Sequence, residues 1–230
     1  MNEKTIEPIA RIRTDFPEKF GVPRQAGIVE ELEGTIEFEK GYADREAIRG
    51  IEEFSHLWLI WGFSENEGWS PTVRPPRLGG NVRKGVFATR SPFRPNGLGL
   101  SCVRLLRIED SGSGMPKLIV AGADMVDGTP IYDIKPYIPY ADAKADACAG
   151  FAPDPGERLE VDMPEGLERI IPEEKRAALR KLLSLDPRPR YLEQGDREYG
   201  FGFAGYEIRF RVRDGRLEVL SAEKRNEKNL

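Results

Sequence analysis

Leu57-Trp58-Leu59-Ile60-Trp61, five apolar residues set between polar neighbours, is too short for most helices and reads as a strand buried on both faces. The helix that a βαβ unit would need does not follow it. Residues 68–99 are rich in Gly and Pro, with one short apolar patch at Val86-Phe87-Ala88, and read as an ordered loop system. Leu100–Ile108 and Lys117–Ala123 are the next strands, joined by the turn-forming Ser111-Gly112-Ser113-Gly114. Ile131–Tyr140 is interrupted by Pro136 and Pro139, which makes it at best an edge strand.

Upstream of the apolar run, Ile6, Pro8, Ala10 and Ile12 alternate with Glu7, Arg11 and Arg13, and Thr35–Glu39 alternates over a shorter length. Asp44–Phe54 has helical spacing, with Ala47, Ile48 and Ile51 on one face and Asp44 as N-cap. Strands therefore dominate the first 140 or so residues without a βαβ rhythm, and the fold class is mainly β, an antiparallel barrel or sandwich. A small α+β domain follows. Ala141–Glu157 is an aperiodic linker or surface loop. Pro172 opens a helix to about Leu185, with Ala178, Leu179, Leu182 and Leu183 on its apolar face, Glu173 and Glu174 at its start and Lys181 near its end. Tyr206, Ile208, Phe210 and Val212 alternate with charged residues, Asp214-Gly215 supplies a hairpin turn, and Leu217–Leu220 returns. The last ten residues are mostly charged and are expected to fray.

The chain has 230 residues, of which 39% are hydrophobic and 32% charged, a globular profile with no run approaching the roughly 18 apolar residues of a membrane span. Met1 to Thr5 is polar, without the apolar core of a signal peptide. Two cysteines, Cys102 and Cys148, offer no disulfide framework and point to a reducing compartment, the cytoplasm. A net charge of −4 argues at first sight against a nucleic-acid partner. Its distribution argues the other way. Pro71–Arg107 carries Arg74, Arg77, Arg83, Lys84, Arg90, Arg94, Arg104 and Arg107 and no acidic residue, a segregated field able to attract a polyanion. The alternative is that several of these side chains pair with acids elsewhere in the fold.

Several chemistries are excluded. The single histidine, His56, suits a packed position better than catalysis, and the several His or Cys ligands of a metal site are lacking, so no metal is expected. There is no P-loop. Asn96-Gly97-Leu98-Gly99 follows a Pro-rich loop and is not a dinucleotide fingerprint. Cys102 has no second His to activate it. What remains is a set of turns. Arg77–Asn81 and Ala88–Asn96 set rigid prolines and permissive glycines beside arginines, and Asp124–Pro130 adds an acidic turn after a strand. Such turns could hold a ligand with an anionic end, a ribose diol and a positive centre, or simply close a barrel.

Pro23-Arg24-Gln25, Phe54-Ser55-His56-Leu57-Trp58, Thr72–Asn81, Gly85–Ser91 and Asp127-Gly128-Thr129-Pro130 resemble, in order and spacing, the signature segments of the TsaA-like (TrmO) family. Asp186–Tyr191 resembles the start of the C-terminal domain of its longer bacterial members. The resemblance implies a TsaA-like β-barrel over residues 1–143, a linker at 144–156 and a C-terminal α+β domain at 157–230. It also implies S-adenosylmethionine as cofactor, a homodimer, and N6 methylation of threonylcarbamoyladenosine (t6A to m6t6A) at position 37 of threonine tRNA. Carried over by matching motif, cofactor contacts come from Pro23, Arg24, Gln25, Ser64, Glu65, Arg90, Leu100, Ala123, Asp124, Met125 and Val126. Ser64-Glu65 departs from the family pattern, where a His-Gln-like pair is common. Asp124 and Asp127 are the acid–base candidates, and Arg74, Arg77, Arg83, Lys84 and Arg94 the candidates for tRNA phosphates. Two other readings stay open: the same cofactor serving another acceptor or regulation, and a non-catalytic RNA-binding barrel.

Overall fold

Alternation at the N-terminus takes hold at Ala10, where both Ala10 and Ile12 are fully buried while Ile6 stays half exposed. In the computed structural model, which describes residues 5–112, 114–154, 156–188 and 197–225, the strands of the first half are β1 (Ala10–Arg13), β2 (Glu33–Phe38), β3 (His56–Gly62), the two-residue pair β4 (Thr72–Val73) and β5 (Lys84–Gly85), β6 (Leu98–Asp110), β7 (Pro116–Ala121) and β8 (Pro130–Pro136). Six of them close into an antiparallel ring in the order β1-β2-β7-β6-β3-β8. Its interior is filled by alternate residues: Ile12, Ile36, Leu57, Leu59, Val103, Leu118, Val120 and Ile131. Each such side chain contributes about 1.5–3 kcal/mol of burial, enough to specify which face turns inward.

Three expectations change here. Burial on both faces belongs to β7, where Ile119 and Ala121 are covered as well; in β3 the buried side chains are Leu57, Leu59 and Trp61, with Gly62 buried at its end, while Trp58 and Ile60 are partly exposed. The segment at 131–140 is no edge, because β8 pairs with both β1 and β3 and closes the ring. Pro130 and Pro136 stand at its two ends, where a missing N–H disturbs the ladder least. The helix expected over Asp44–Phe54 is two 3-10 turns, Arg45–Ile48 and Ile51–Glu53, separated by Gly50 at φ +86°. Asp44 does cap the first, accepting from the Glu46 N–H at 2.9 Å.

A second body of structure follows a helical turn, α1 (Pro139–Asp142). Its strands β9 (Glu160–Asp162), β10 (Glu198–Phe203), β11 (Tyr206–Arg213) and β12 (Arg216–Lys224) form a sheet in the order β10-β11-β12-β9, with β9 parallel to β12. Beside it lie the short α2 (Glu165–Glu168) and α3 (Glu173–Ser184). Pro172 is the residue before the helix rather than its first turn, and the four apolar residues of its face are buried as the spacing requires. Asp214 and Gly215 both take positive φ, the backbone a two-residue hairpin demands. Residues 189–191 of the family-like segment and 226–230 of the charged tail lie outside the described residues. Among the described ones, no helix is long and apolar enough to cross a membrane.

The second core is not made by the C-terminal residues alone. Phe16, Val29 and Leu32, from the long β1–β2 connection, are buried with Leu179, Leu183, Phe201, Phe203 and Phe210. Polar ties hold the same connection down. Lys175 Nζ meets Asp15 Oδ2 at 2.6 Å, the Ala204 N–H donates to Asp15 O at 3.0 Å, and the Gly202 N–H donates to Glu18 Oε1 at 3.0 Å.

On the ring's outer surface, the Glu37 carboxylate accepts from Lys117 Nζ at 2.6 Å and Arg13 Nε at 3.0 Å. These two bonds hold it below the ordinary glutamate range. A depressed carboxyl stabilises the fold above its unfolded value and loses that contribution as pH falls through the folded one. Glu37→Gln should therefore melt below the parent at neutral pH, and the two melting curves should converge as the solution is acidified.

Candidate functional site

The registers decide where the loops go. Glu33 pairs with Ala121, Gly62 with Leu98 and Trp61 with Ile131, so the three long connections, 14–32, 63–97 and 122–129, all emerge on one rim of the ring. Gly27 and Gly122 bring the first and third into contact. The Gly27 N–H donates to Gly122 O at 2.8 Å, and a Cβ on Gly122 (φ +78°) would sit 3.0 Å from Gly27 Cα, so no side chain is tolerated there.

Asp124 is the centre of this rim. Its Oδ1 accepts from Ser101 Oγ at 2.6 Å, the backbone N–H groups of Ala26 and Asp124 itself also favour its charged form, and the Arg90 guanidinium lies close enough to act on it by charge. Burial outweighs these donors and pushes the carboxyl above the ordinary aspartate range. Arg90 Nη1 donates to Gln25 Oε1. The structure thus brings together Gln25, Arg90 and Asp124, which are far apart in sequence, and leaves a guanidinium, an amide and a carboxylate on one preformed wall. Arg24 turns away: its Nη2 donates to Asp186 O at 3.2 Å and Arg188 O at 3.1 Å, tying the loop to the C-terminal half.

The other expected positions divide. Ala123 and Met125 are buried in the ring core, whereas Val126 is partly exposed. The Met125 and Val126 carbonyls already accept the hydroxyls of Thr14 (3.0 Å) and Thr129 (2.7 Å). Leu100 is 56% exposed on the outer face beside the rim. Ser64 lines a cleft of about 290 Å³ with Phe63, Trp69, Asn96 and Tyr132, and Glu65 is exposed next to it. Asp127 has structural work: it accepts from the Thr14 N–H at 2.9 Å and pairs with Arg13 at 3.4 Å. Two residues that sequence reasoning passed over are Ser101 and Trp61. The clue was present, since Ser101 is the polar residue at an inward position of a strand whose neighbouring inward residue, Val103, is apolar.

Of the eight basic residues between Pro71 and Arg107, only Arg107 forms ion pairs among the described residues, with Glu109 at 2.6 Å and Glu33 at 3.5 Å. Arg77, Arg83 and Arg94 donate to Asp154 O, Thr72 Oγ1 and the carbonyls of Thr89 and Ser91. Their charge is not neutralised, so the basic field survives folding. His56 lies half-buried with Nδ1 2.9 Å from Ser55 Oγ, against Tyr137. Burial, with the nearby Asp142 charge, pushes the Cys102 thiol up and makes it a poor nucleophile. No group of three or more His, Cys, Asp or Glu among the described residues could hold a metal ion.

A strand ring with a guanidinium, an amide and a carboxylate converging on one rim defines a mainly-β ligand-binding protein, distinct from the doubly wound sheets that bind nucleotides at a helix N-terminus. The chain belongs to the tRNA-methyltransferase O family: the family's N-terminal domain matches residues 11–143 and its C-terminal domain residues 157–225. It is 41% identical to the tRNA (adenine(37)-N6)-methyltransferase of Escherichia coli, across 98% of this chain and all of that one. A Pseudomonas aeruginosa relative that carries the name of an S-adenosylmethionine-dependent methyltransferase is 41% identical over 85% of this chain and 87% of its own. The crystal structure of TrmO from Pseudomonas aeruginosa superposes with a TM-score of 0.77 at 33% identity, covering 96% of this chain and 99% of that one.

Proposed function

We propose that this chain is an S-adenosylmethionine-dependent tRNA methyltransferase acting on N6 of adenosine 37, beside the anticodon. The finer reading is that the acceptor is the threonylcarbamoylated base of threonine tRNA, t6A becoming m6t6A. We place the enzyme in the cytoplasm, as a homodimer without a metal. The division into a TsaA-like β-barrel domain (1–143), a linker (144–156) and a C-terminal domain (157–230) completes the proposal.

The observation that carries it is the convergence of Arg90, Gln25 and Asp124 on the rim. Their chemistry fits the cofactor. Arg90 offers a charge-assisted contact for a carboxylate, Asp124 an acceptor for an ammonium or ribose hydroxyl, and the exposed Leu100 apolar cover. When bound, S-adenosylmethionine supplies an electrophilic methyl group on a sulfonium. The protein's own contribution is orientation, which can supply on the order of 7–11 kcal/mol. Asp124 is already engaged by Ser101 and two backbone donors, so we assign it charge and positioning rather than proton removal, and water takes the N6 proton. Arg74, Arg77, Arg83, Lys84 and Arg94 supply the phosphate contacts, their charge left unneutralised for that use.

Mass spectrometry of nucleosides provides the test. Incubated with S-adenosylmethionine and either unmodified or threonylcarbamoylated threonine tRNA, the purified chain should add one methyl group to the base at position 37 of the modified tRNA and none to the bare transcript. Methylation of both would retain the enzyme and remove the finer substrate. No methylation by a chain that binds the cofactor would leave only another acceptor or a regulatory use.

A further inference from the structure

Behind Asp124 stands a device that the binding wall does not itself include. Trp61 and Ser101 face the ring interior from the adjacent strands β3 and β6, and Gly99 lies opposite Trp61 in the register. A Cβ on Gly99 would sit 2.3 Å from Trp61 Cε2, so the absence of a side chain there lets the indole lie across β6. That placement carries Trp61 Nε1 to within 2.9 Å of Ser101 Oγ, which is in turn 2.6 Å from Asp124 Oδ1. Ser101 is 2% exposed, and it and Thr129 are the buried polar side chains of the described residues.

With Asp124 ionised, the direction of this chain of bonds is forced. An indole N–H donates and never accepts, so the serine oxygen must accept it. The hydroxyl has one proton, which therefore goes to Asp124, and Asp124 Oδ1 must present a lone pair. We propose that Ser101, polarised by Trp61 and given room by Gly99, is a positioning residue for the S-adenosylmethionine site, holding the Asp124 carboxylate in one orientation with its other acceptor positions toward the Ala26 N–H and Arg90. This inference rests on the cofactor reading above and deepens it. Ser101 touches no ligand and acts through Asp124.

A role through Asp124 has a signature that simple packing lacks. The charged group facing Asp124 is Arg90; the remaining donors, Ser101 and the N–H groups of Ala26 and Asp124, are neutral. Burial raises this carboxyl and the donors oppose that rise, so deleting the Ser101 hydroxyl raises it further. Acidification then removes the charge, and with it cofactor affinity, at a higher pH than in the parent.

The experiment is calorimetric titration of the full chain with S-adenosylmethionine from mildly acidic to mildly alkaline pH. In the parent, affinity should fall on acidification. In Ser101→Ala the midpoint of that fall should rise by about one pH unit, the shift that one hydrogen bond to a charged group sustains. Trp61→Phe, which removes the N–H and keeps most of the ring, should move it the same way by less. Asp124→Asn should abolish the dependence, and adding Ser101→Ala to it should change nothing further. A Ser101→Ala protein that only melts earlier, with the parental midpoint, overturns the proposal, as does a further loss of affinity in the Asp124→Asn background. A parent that binds the cofactor with no pH dependence overturns it too. A parent that does not bind S-adenosylmethionine at any pH sinks the cofactor reading itself, a distinct result.

Discussion

Arg90→Ala is expected to weaken S-adenosylmethionine binding about 10- to 100-fold, the weight of one charge-assisted contact of about 1.5–3 kcal/mol. The reason is local. Arg90 is the guanidinium that sits between Gln25 and Asp124 on the rim, and it has no ion pair to fall back on among the described residues. Its loss removes the cation proposed for the ligand's carboxylate and the positive charge that acts on Asp124. Arg90→Lys should recover only part of the affinity, because an ammonium cannot form the paired parallel bonds of a guanidinium. Arg74→Ala, in the same basic field but without a contact to this wall, should bind the cofactor as the parent does while losing affinity for tRNA. Calorimetry with the cofactor and salt-dependent tRNA titration separate the two. Parental cofactor affinity in Arg90→Ala would remove the anion-binding role.

The second large effect concerns the far core. Phe201 is fully buried among Phe16, Phe203 and Phe210, and truncating such a ring to alanine costs about 3–5 kcal/mol. For a chain of this size that corresponds to a fall in Tm of roughly 6–20 °C. The consequence should reach the site as well. The Phe201 ring packs so closely on Gly21 that a Cβ there would lie 2.3 Å from Phe201 Cδ2, and Gly21 is two residues from Pro23. Phe201→Ala should therefore weaken cofactor binding even at temperatures where the protein remains folded. Urea denaturation gives the first quantity, and titration of the folded variant the second. A variant that is destabilised but binds normally would uncouple the loop from the C-terminal sheet.

Much of this architecture could be read from local pattern. Period-two runs place Ile12 and Ile36 inside without reference to anything distant, and Asp214-Gly215 names its own turn. Gln25, Arg90 and Asp124, which the family resemblance singled out as segments, do meet on the rim. Other features depend on partners that no local pattern reveals. β10 contains Gly200 and Gly202 and little alternation; it becomes a strand because β11 offers it a ladder and Phe16 a covered face. Gly50 breaks a helix that the spacing of Ala47, Ile48 and Ile51 otherwise supports. Arg24 sits within a segment expected to contact the cofactor, yet its guanidinium donates to carbonyls more than 160 residues away. Ser101 stood out only as a polar residue at an inward position; what it does depends on the indole of another strand, which no local pattern reveals.

The placement of Phe16, Val29 and Leu32 in the distal core also bears on biosynthesis. These residues leave the ribosome well before the phenylalanines that cover them are translated. At ~5–20 residues per second, the apolar flank of that early segment waits roughly 10–40 s for its cover. The nascent chain thus spends most of its synthesis with that apolar surface uncovered, the interval in which such a segment is most prone to associate with another copy.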